Sequence, residues 1–196
     1  IQNLCDGRVT LTSGTPITAS DVTGATLVYW TPYVGNRCAF YDGTTWAIIN
    51  FSETSLSLGT DAANTNYDLF AYNSSGVLTL QRRAWSANTT RATDLTTQDG
   101  VLVRLGATTA RYLGTYRTTT VAGQTEDTMR QRFVYNWRHP ATRPVRREET
   151  VSSWTLLTNA AFRQANANTL NAIGVVVGQV GNVLALAVLA QVESTT

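Results

Sequence analysis

The chain contains no lysine; all 15 of its basic residues are arginine. Schiff-base chemistry and a phosphate loop ending in Gly-Lys are therefore excluded. Charge of either sign is scarce, at 14% of residues, and 13 acidic groups leave a net charge of only +2. Nucleic acid binds through many cationic contacts, so no nucleic-acid partner is expected. Histidine occurs once, at His139. A Ser-His-Asp triad holds its imidazole between a hydroxyl and a carboxylate, whereas His139 precedes Pro140 in a charged stretch, and no G-x-S-x-G elbow exists in the sequence. His139 reads as a surface or interface residue. Cysteine occurs twice, at Cys5 and Cys38. Two are too few for the disulfide framework of a small secreted fold, and with His139 they lack zinc-ligand spacing. Two unpaired, buried thiols are the simplest reading, with pairing left open. No cofactor or metal is expected.

Long apolar runs are also missing. Residues 164–192 carry no charge, but three glycines, two glutamines and an asparagine break up AIGVVVGQVGNVLALAVLAQV, and no basic flank follows. Two buried strands around a GQVGN turn fit this better than a membrane span. The opening IQNLCDGRVT has neither a basic nor an apolar signal-peptide region, so no signal peptide is read there, and with the C-terminal stretch read as strands no membrane partner is expected.

What is present is a β-prone texture. Threonine is the commonest residue, at 33 of 196, and Trp and Tyr together number 13. Such residues fit a pleated, half-buried surface, and the length suits one domain with a real core. Strands are expected at 25–30 (stopped by Thr31-Pro32), 37–41, 46–51, 67–72, 77–85, 101–105, 111–117, 129–137, 151–157, 173–177 and 183–190. Hairpins follow at Asp42-Gly43, at Asn73–Gly76 and around the GATTA segment, 106–110. Short helical turns are expected within 62–68 and 87–98, and residues 118–128 read as an irregular polar connection. The fold class is thus all-β, an antiparallel β-sandwich or jelly-roll-like domain. It comprises residues 1–165, followed by apolar C-terminal strands or an arm at 166–196 packed on the same domain or on a partner subunit.

Residues 138–149 (RHPATRPVRREE) are the most charged stretch, and their two prolines forbid a central strand. Arg138, Arg143, Arg146, Arg147, Glu148 and Glu149 make this exposed loop the candidate protein interface, because guanidinium groups bond carboxylates and carbonyls with defined orientation. A solvated loop and a phosphate grip are the competing readings. Among carboxylates, Glu53, Asp68, Asp94, Glu126 and Asp127 are available for a glycosidase-type pair, but such pairing is spatial and no catalytic residue is assigned. Trp30, Tyr33, Tyr41 and Trp46 read as core rather than as a carbohydrate platform.

Four ordered blocks, TPYVGNRCAFYDGTTWAIINFSETSLSL, NTNYDLFAYNSSGVLTLQRRAW, TTRATDLTTQDGVLVRLGATTARYLGTYRTT and GQTEDTMRQRFVYNWRHPATRPVRREETVSSWTL, resemble a domain of tailed-bacteriophage virion proteins. The resemblance runs from about Thr23 to about Ala165. It implies a structural, non-enzymatic protein of the virion, commonly a homotrimer, whose partners are its own copies and the major capsid protein or other virion proteins. A capsid decoration (cement) protein is the leading expectation. A tail-fibre, spike or receptor-binding domain contacting a host glycan or protein is the alternative.

Overall fold

The computed structural model describes residues 1–151 and 164–179. The strands in chain order are β1 (Gly7–Thr10), β2 (Val22–Ala25), β3 (Leu27–Pro32), β4 (Arg37–Tyr41), β5 (Trp46–Asn50) and β6 (Thr54–Ser57). Next come β7 (Asn66–Ser74), β8 (Val77–Ala87), β9 (Thr90–Arg91), β10 (Leu95–Gln98), β11 (Val101–Arg104) and β12 (Ala107–Arg117). The last are β13 (Thr125–Asp127), β14 (Gln131–Arg132), β15 (Val134–Asn136) and β16 (Gly174–Val175). Among the described residues the only helical element is a 3-10 turn at Ala165–Ala167. The protein is all-β.

The largest sheet has the order β10-β11-β12-β7-β8-β9, with β15 added to β12. β11 and β15 share one edge of β12, pairing with its first and second halves in turn. A second sheet, β1-β3-β6, covers it, and the β4–β5 hairpin extends that cover. The fourth sheet, β16-β14-β13-β2, contains one parallel pair, β14 with β16. An antiparallel sandwich is what alternating side chains dictate when each strand must bury one face. Along β7, Tyr67, Leu69 and Ala71 enter the main core, whereas Phe70 joins a smaller cluster on the other face. In β12 a bulge between Tyr112 and Gly114 shifts the parity, so Leu113 and Tyr116 both reach the main core.

Trp30 fills the centre at 1% exposure. Its ring stacks on Phe51 with centroids 3.9 Å apart and meets Phe40 edge-on at 6.5 Å. Gly7 must be glycine here, because a Cβ would lie 2.6 Å from the Trp30 ring. The two large sheets are also stitched by polar groups. The Asn136 side-chain amide accepts from Val9 N at 2.6 Å and donates to Val9 O at 2.9 Å, standing in for a strand partner of β1.

Several sequence expectations need correction. The third hairpin turns at Leu105-Gly106, and residues 107–110 belong to β12, since two residues suffice for the turn. The stretch 87–98 holds β9 and β10 instead of a helical turn. Asp99 and Gly100 both have positive φ (51° and 79°), forming a primed two-residue turn into β11. Residues 62–68 contain a turn with Asn64 at φ 54° and then enter β7. The strand expected at 129–137 is two strands, β14 and β15, separated by buried Phe133 and paired into different sheets. The connection 118–128 includes β13, which pairs with β2. Pro32 ends β3 rather than stopping it earlier, because β6 pairs no further than Trp30 and the missing N–H of Pro32 faces no strand on that side. The strand expected at 151–157, apart from its first residue, and the one at 183–190 lie outside the described residues. Of 173–177, only Gly174–Val175 pairs as β16.

Candidate interaction surface

After β15 the chain enters the charged loop through His139, at φ 54°, and Pro140. The loop is fastened along the body at three places. Near its start, Arg138 donates to Asn3 Oδ1 at 2.8 Å, and His139 Nε2 is 2.7 Å from Cys5 O. His139 also meets Tyr33 edge-on, with centroids 5.7 Å apart. In the middle, Asp127 pairs with both Arg132 and Arg143, and Arg143 donates to Thr18 O at 2.8 Å. Arg132 donates twice to Pro144 O, at 3.1 and 2.8 Å. Beyond that, Arg146 N donates to Met129 O at 2.8 Å.

The six interface candidates therefore fall into two groups. Arg138 and Arg143 are half-buried and hold the loop to its own fold. Arg146, Arg147, Glu148 and Glu149 gather near Asn171 at the outer end. Arg147 Nε donates to Asn171 Oδ1 at 2.9 Å, and the Asn171 amide donates to Glu149. Arg146 and Glu148 pair with each other while remaining 63% and 64% exposed. An exposed pair of this kind contributes about 0–1 kcal/mol, so a partner can replace it at little cost. Met129 and Val151 add exposed apolar surface next to these charges.

Two clefts flank β13 and β14. One, of about 790 Å³, is polar and presents Asn64, Asn88, Arg117, Gln124, Glu126 and Arg130 beside Phe133. The other, of about 490 Å³, runs beneath the loop between β1 and Val145 and contains Asp127 and Arg132. The adjacent residues Glu126 and Asp127 thus point into different clefts, as strand alternation requires. Burial pushes the Glu126 carboxyl above its ordinary range, with Arg130 opposing this from 3.9 Å. The polar cleft was not legible in the sequence. Its residues span 24 to 177 and come together only through the packing of β2, β7, β12, β13, β14 and β16.

The other candidate carboxylates are dispersed. Asp68 is buried against Arg91 and Thr115, and Asp94 is exposed. Glu53 accepts from Ser13 Oγ and Thr31 Oγ1, both at 2.5 Å, and from Gly14 N at 2.7 Å. Burial raises its carboxyl pKa, but these three donors outweigh it and the net shift is downward. In the window just below the ordinary value of 4.5, the folded state thus binds fewer protons than the unfolded one. Stability from Glu53 is present above that window and is lost as pH falls through it. Glu53→Gln should flatten the acid limb of a plot of stability against pH, read by urea unfolding between about pH 5 and 3. An unchanged slope would show that the three donors do not favour the charged form.

Of the aromatic residues, Trp30 is core. Tyr33 is 42% exposed, and Tyr41 and Trp46 lean on each other across the β4–β5 hairpin. Among the described residues no cluster of three or more His, Cys, Asp or Glu side chains is placed to hold a metal ion. No described helix is long and apolar enough to cross a membrane. Comparison with known proteins finds no matching family model, no matching curated protein and no matching solved structure.

Proposed function

We propose that this chain is a structural virion protein of a tailed bacteriophage, a decoration protein that forms homotrimers and clamps neighbouring capsomers on the outer shell. The observation that carries the reading is the division of labour within the charged loop. Arg138 and Arg143 hold the backbone in place, while Arg146, Arg147 and Glu148 remain exposed beside Met129 and Val151. A pre-fastened loop loses little freedom on docking, so its guanidinium contacts appear almost undiminished in the affinity. Trimer valency and many copies multiply a modest single contact.

The test replaces Arg146 and Arg147 together with alanine. Charge-assisted hydrogen bonds contribute about 1.5–3 kcal/mol each, so affinity for purified shells should fall at least about tenfold. The melting temperature of the isolated protein should not move, because both side chains are exposed. Shells carrying the wild-type protein should also burst at a higher temperature than bare shells, by mass action. Wild-type occupancy by the double variant, or equal bursting with and without the protein, would sink the reading.

The polar cleft favours a second reading, a tail-fibre or spike domain that takes a host-surface glycan. Amide and guanidinium groups around an aromatic ring suit sugar hydroxyls. Here purified protein should adsorb to host cells and block infection, and Gln124→Ala with Arg130→Ala should abolish the block. Failure of the wild-type protein to adsorb removes this reading and leaves the first untouched.

A further inference from the structure

We propose that Cys5 and Cys38 form a cross-strand dithiol that closes to a disulfide in an oxidising thiol buffer, locking the N-terminal segment onto β4. The two residues oppose each other in an isolated antiparallel bridge. Its flanking hydrogen bonds run from Asp6 N to Arg37 O at 2.9 Å and from Ala39 N to Leu4 O at 3.0 Å. That pattern makes Cys5 and Cys38 a non-hydrogen-bonded pair, the closer of the two antiparallel pair types, with Cα atoms about 4.5 Å apart. A disulfide spans Cα separations of about 4.4–6.8 Å, so closure needs no backbone movement. The side chains of such a pair lie on the same face, so the two buried thiols face each other across the bridge.

The surroundings divide the roles. The neighbouring Cys38 thiol, aided by the charges of Arg111 and Arg138 and opposed by burial, lowers the Cys5 thiol to about 7. Burial pushes the Cys38 thiol up. Arg111 and Arg138 each keep one buried guanidinium nitrogen without a hydrogen-bond partner, Arg111 Nη2 and Arg138 Nε. Cys5 is therefore the attacking thiolate. It displaces one thiol from a low-molecular-weight disulfide such as oxidised glutathione, giving a mixed disulfide. Cys38 then loses its proton, attacks the Cys5 sulfur and expels the second thiol. Two protein thiols are oxidised, one disulfide is reduced to two thiols, and the protons pass to the departing thiolates.

Access is the barrier, since Cys5 is 5% exposed and Cys38 0%. The segment over them is held by Arg111 to Gln2 O at 2.8 Å, Arg138 to Asn3 and His139 to Cys5 O. Refolding the full chain from denaturant in a glutathione redox buffer removes that barrier. The expected product is native by circular dichroism, about 2 Da lighter than the dithiol, and inert to alkylation. Trypsin cuts after Arg8, Arg37 and Arg82, so fragments 1–8 and 38–82 should run joined until reductant is added. Closing this loop should raise the melting temperature by on the order of 10 °C over the reduced protein. Cys5→Ala should show no joined fragments and no dependence of melting on redox state, and it serves even where Cys38→Ser at the buried position fails to fold. Two alkylatable thiols in the natively refolded protein, or a stable adduct of glutathione on Cys5, would overturn the proposal.

Discussion

Asp68→Ala should lower the unfolding free energy by about 3 kcal/mol, because it strands the Arg91 guanidinium, whose side chain is only 15% exposed. Asp68 is 1% exposed. It accepts from Arg91 Nε at 2.6 Å, from Arg91 Nη2 at 3.3 Å and from Thr115 Oγ1 at 2.7 Å. The Thr115 hydroxyl in turn hydrogen-bonds Tyr112 Oη at 2.6 Å. Arg91 lies over the Trp85 ring at 4.5 Å and donates to Gly178 O, which ties the segment leading out of β16 onto the large sheet. Loss of Asp68 therefore removes one charge and loosens the docking of that segment at the same time. Arg91→Met in the Asp68→Ala background should recover part of the loss, since the unpaired charge disappears while most of the volume stays. Urea unfolding of the four proteins in the cycle measures it. A single-variant loss below about 1 kcal/mol would mean that water compensates Arg91 and that the network is not a structural tie.

Trp30→Ala should cost about 3–5 kcal/mol through the cavity it leaves, with the lost Phe51 stack contributing about 0.5–1.5 kcal/mol of that. The position joins β3 to the β4–β5 hairpin, since Trp30 sits on β3, Phe40 on β4 and Phe51 just after β5, and it lies in one buried cluster with Leu69 and Tyr116 of the large sheet. Gly7 gives this prediction an internal control. Gly7→Ala in the wild-type background drives a methyl against the Trp30 ring and should destabilise the fold. With Trp30 already replaced, the methyl meets only the Phe51 ring, 2.8 Å from a Cβ at this position and freed of its stacking partner, so Gly7→Ala should cost less there and the cycle should be non-additive. Additive losses would show that the crowding at Gly7 comes from the Phe51 ring and not from the indole.

The hairpins centred on Asp42-Gly43 and Asn73–Gly76 were legible because their signal is local. A residue that tolerates positive φ stands between two β-branched or aromatic runs. The inward Trp30 and the buried thiols were legible from residue type. Other features were not, for equally physical reasons. MRQRFVYNW reads as one strand by composition, yet Phe133 turns into the core and sends the two halves to different sheets. The threonine-rich 87–98 stretch carries little hydrophobic alternation, because β9 and β10 are short edge strands. The arginine loop was visible as a charge cluster. Which arginines face inward depends on Asp127 in β13 and on Thr18 and Asn3, the last two more than a hundred residues away in sequence.

By itself, the sequence determined an all-β chain with a core built on aromatic and β-branched residues and a proline-broken arginine loop. Periodicity and backbone preference act over a few residues and need no partner. Tertiary structure alone decided that Cys5 faces Cys38, that Glu126 and Asp127 open into separate clefts, and that Arg143 holds the loop while Arg146 leaves it. Those outcomes depend on which strands pair and in which register. A shift of one residue would reverse every side chain on the strand, and only the packed core selects among the registers.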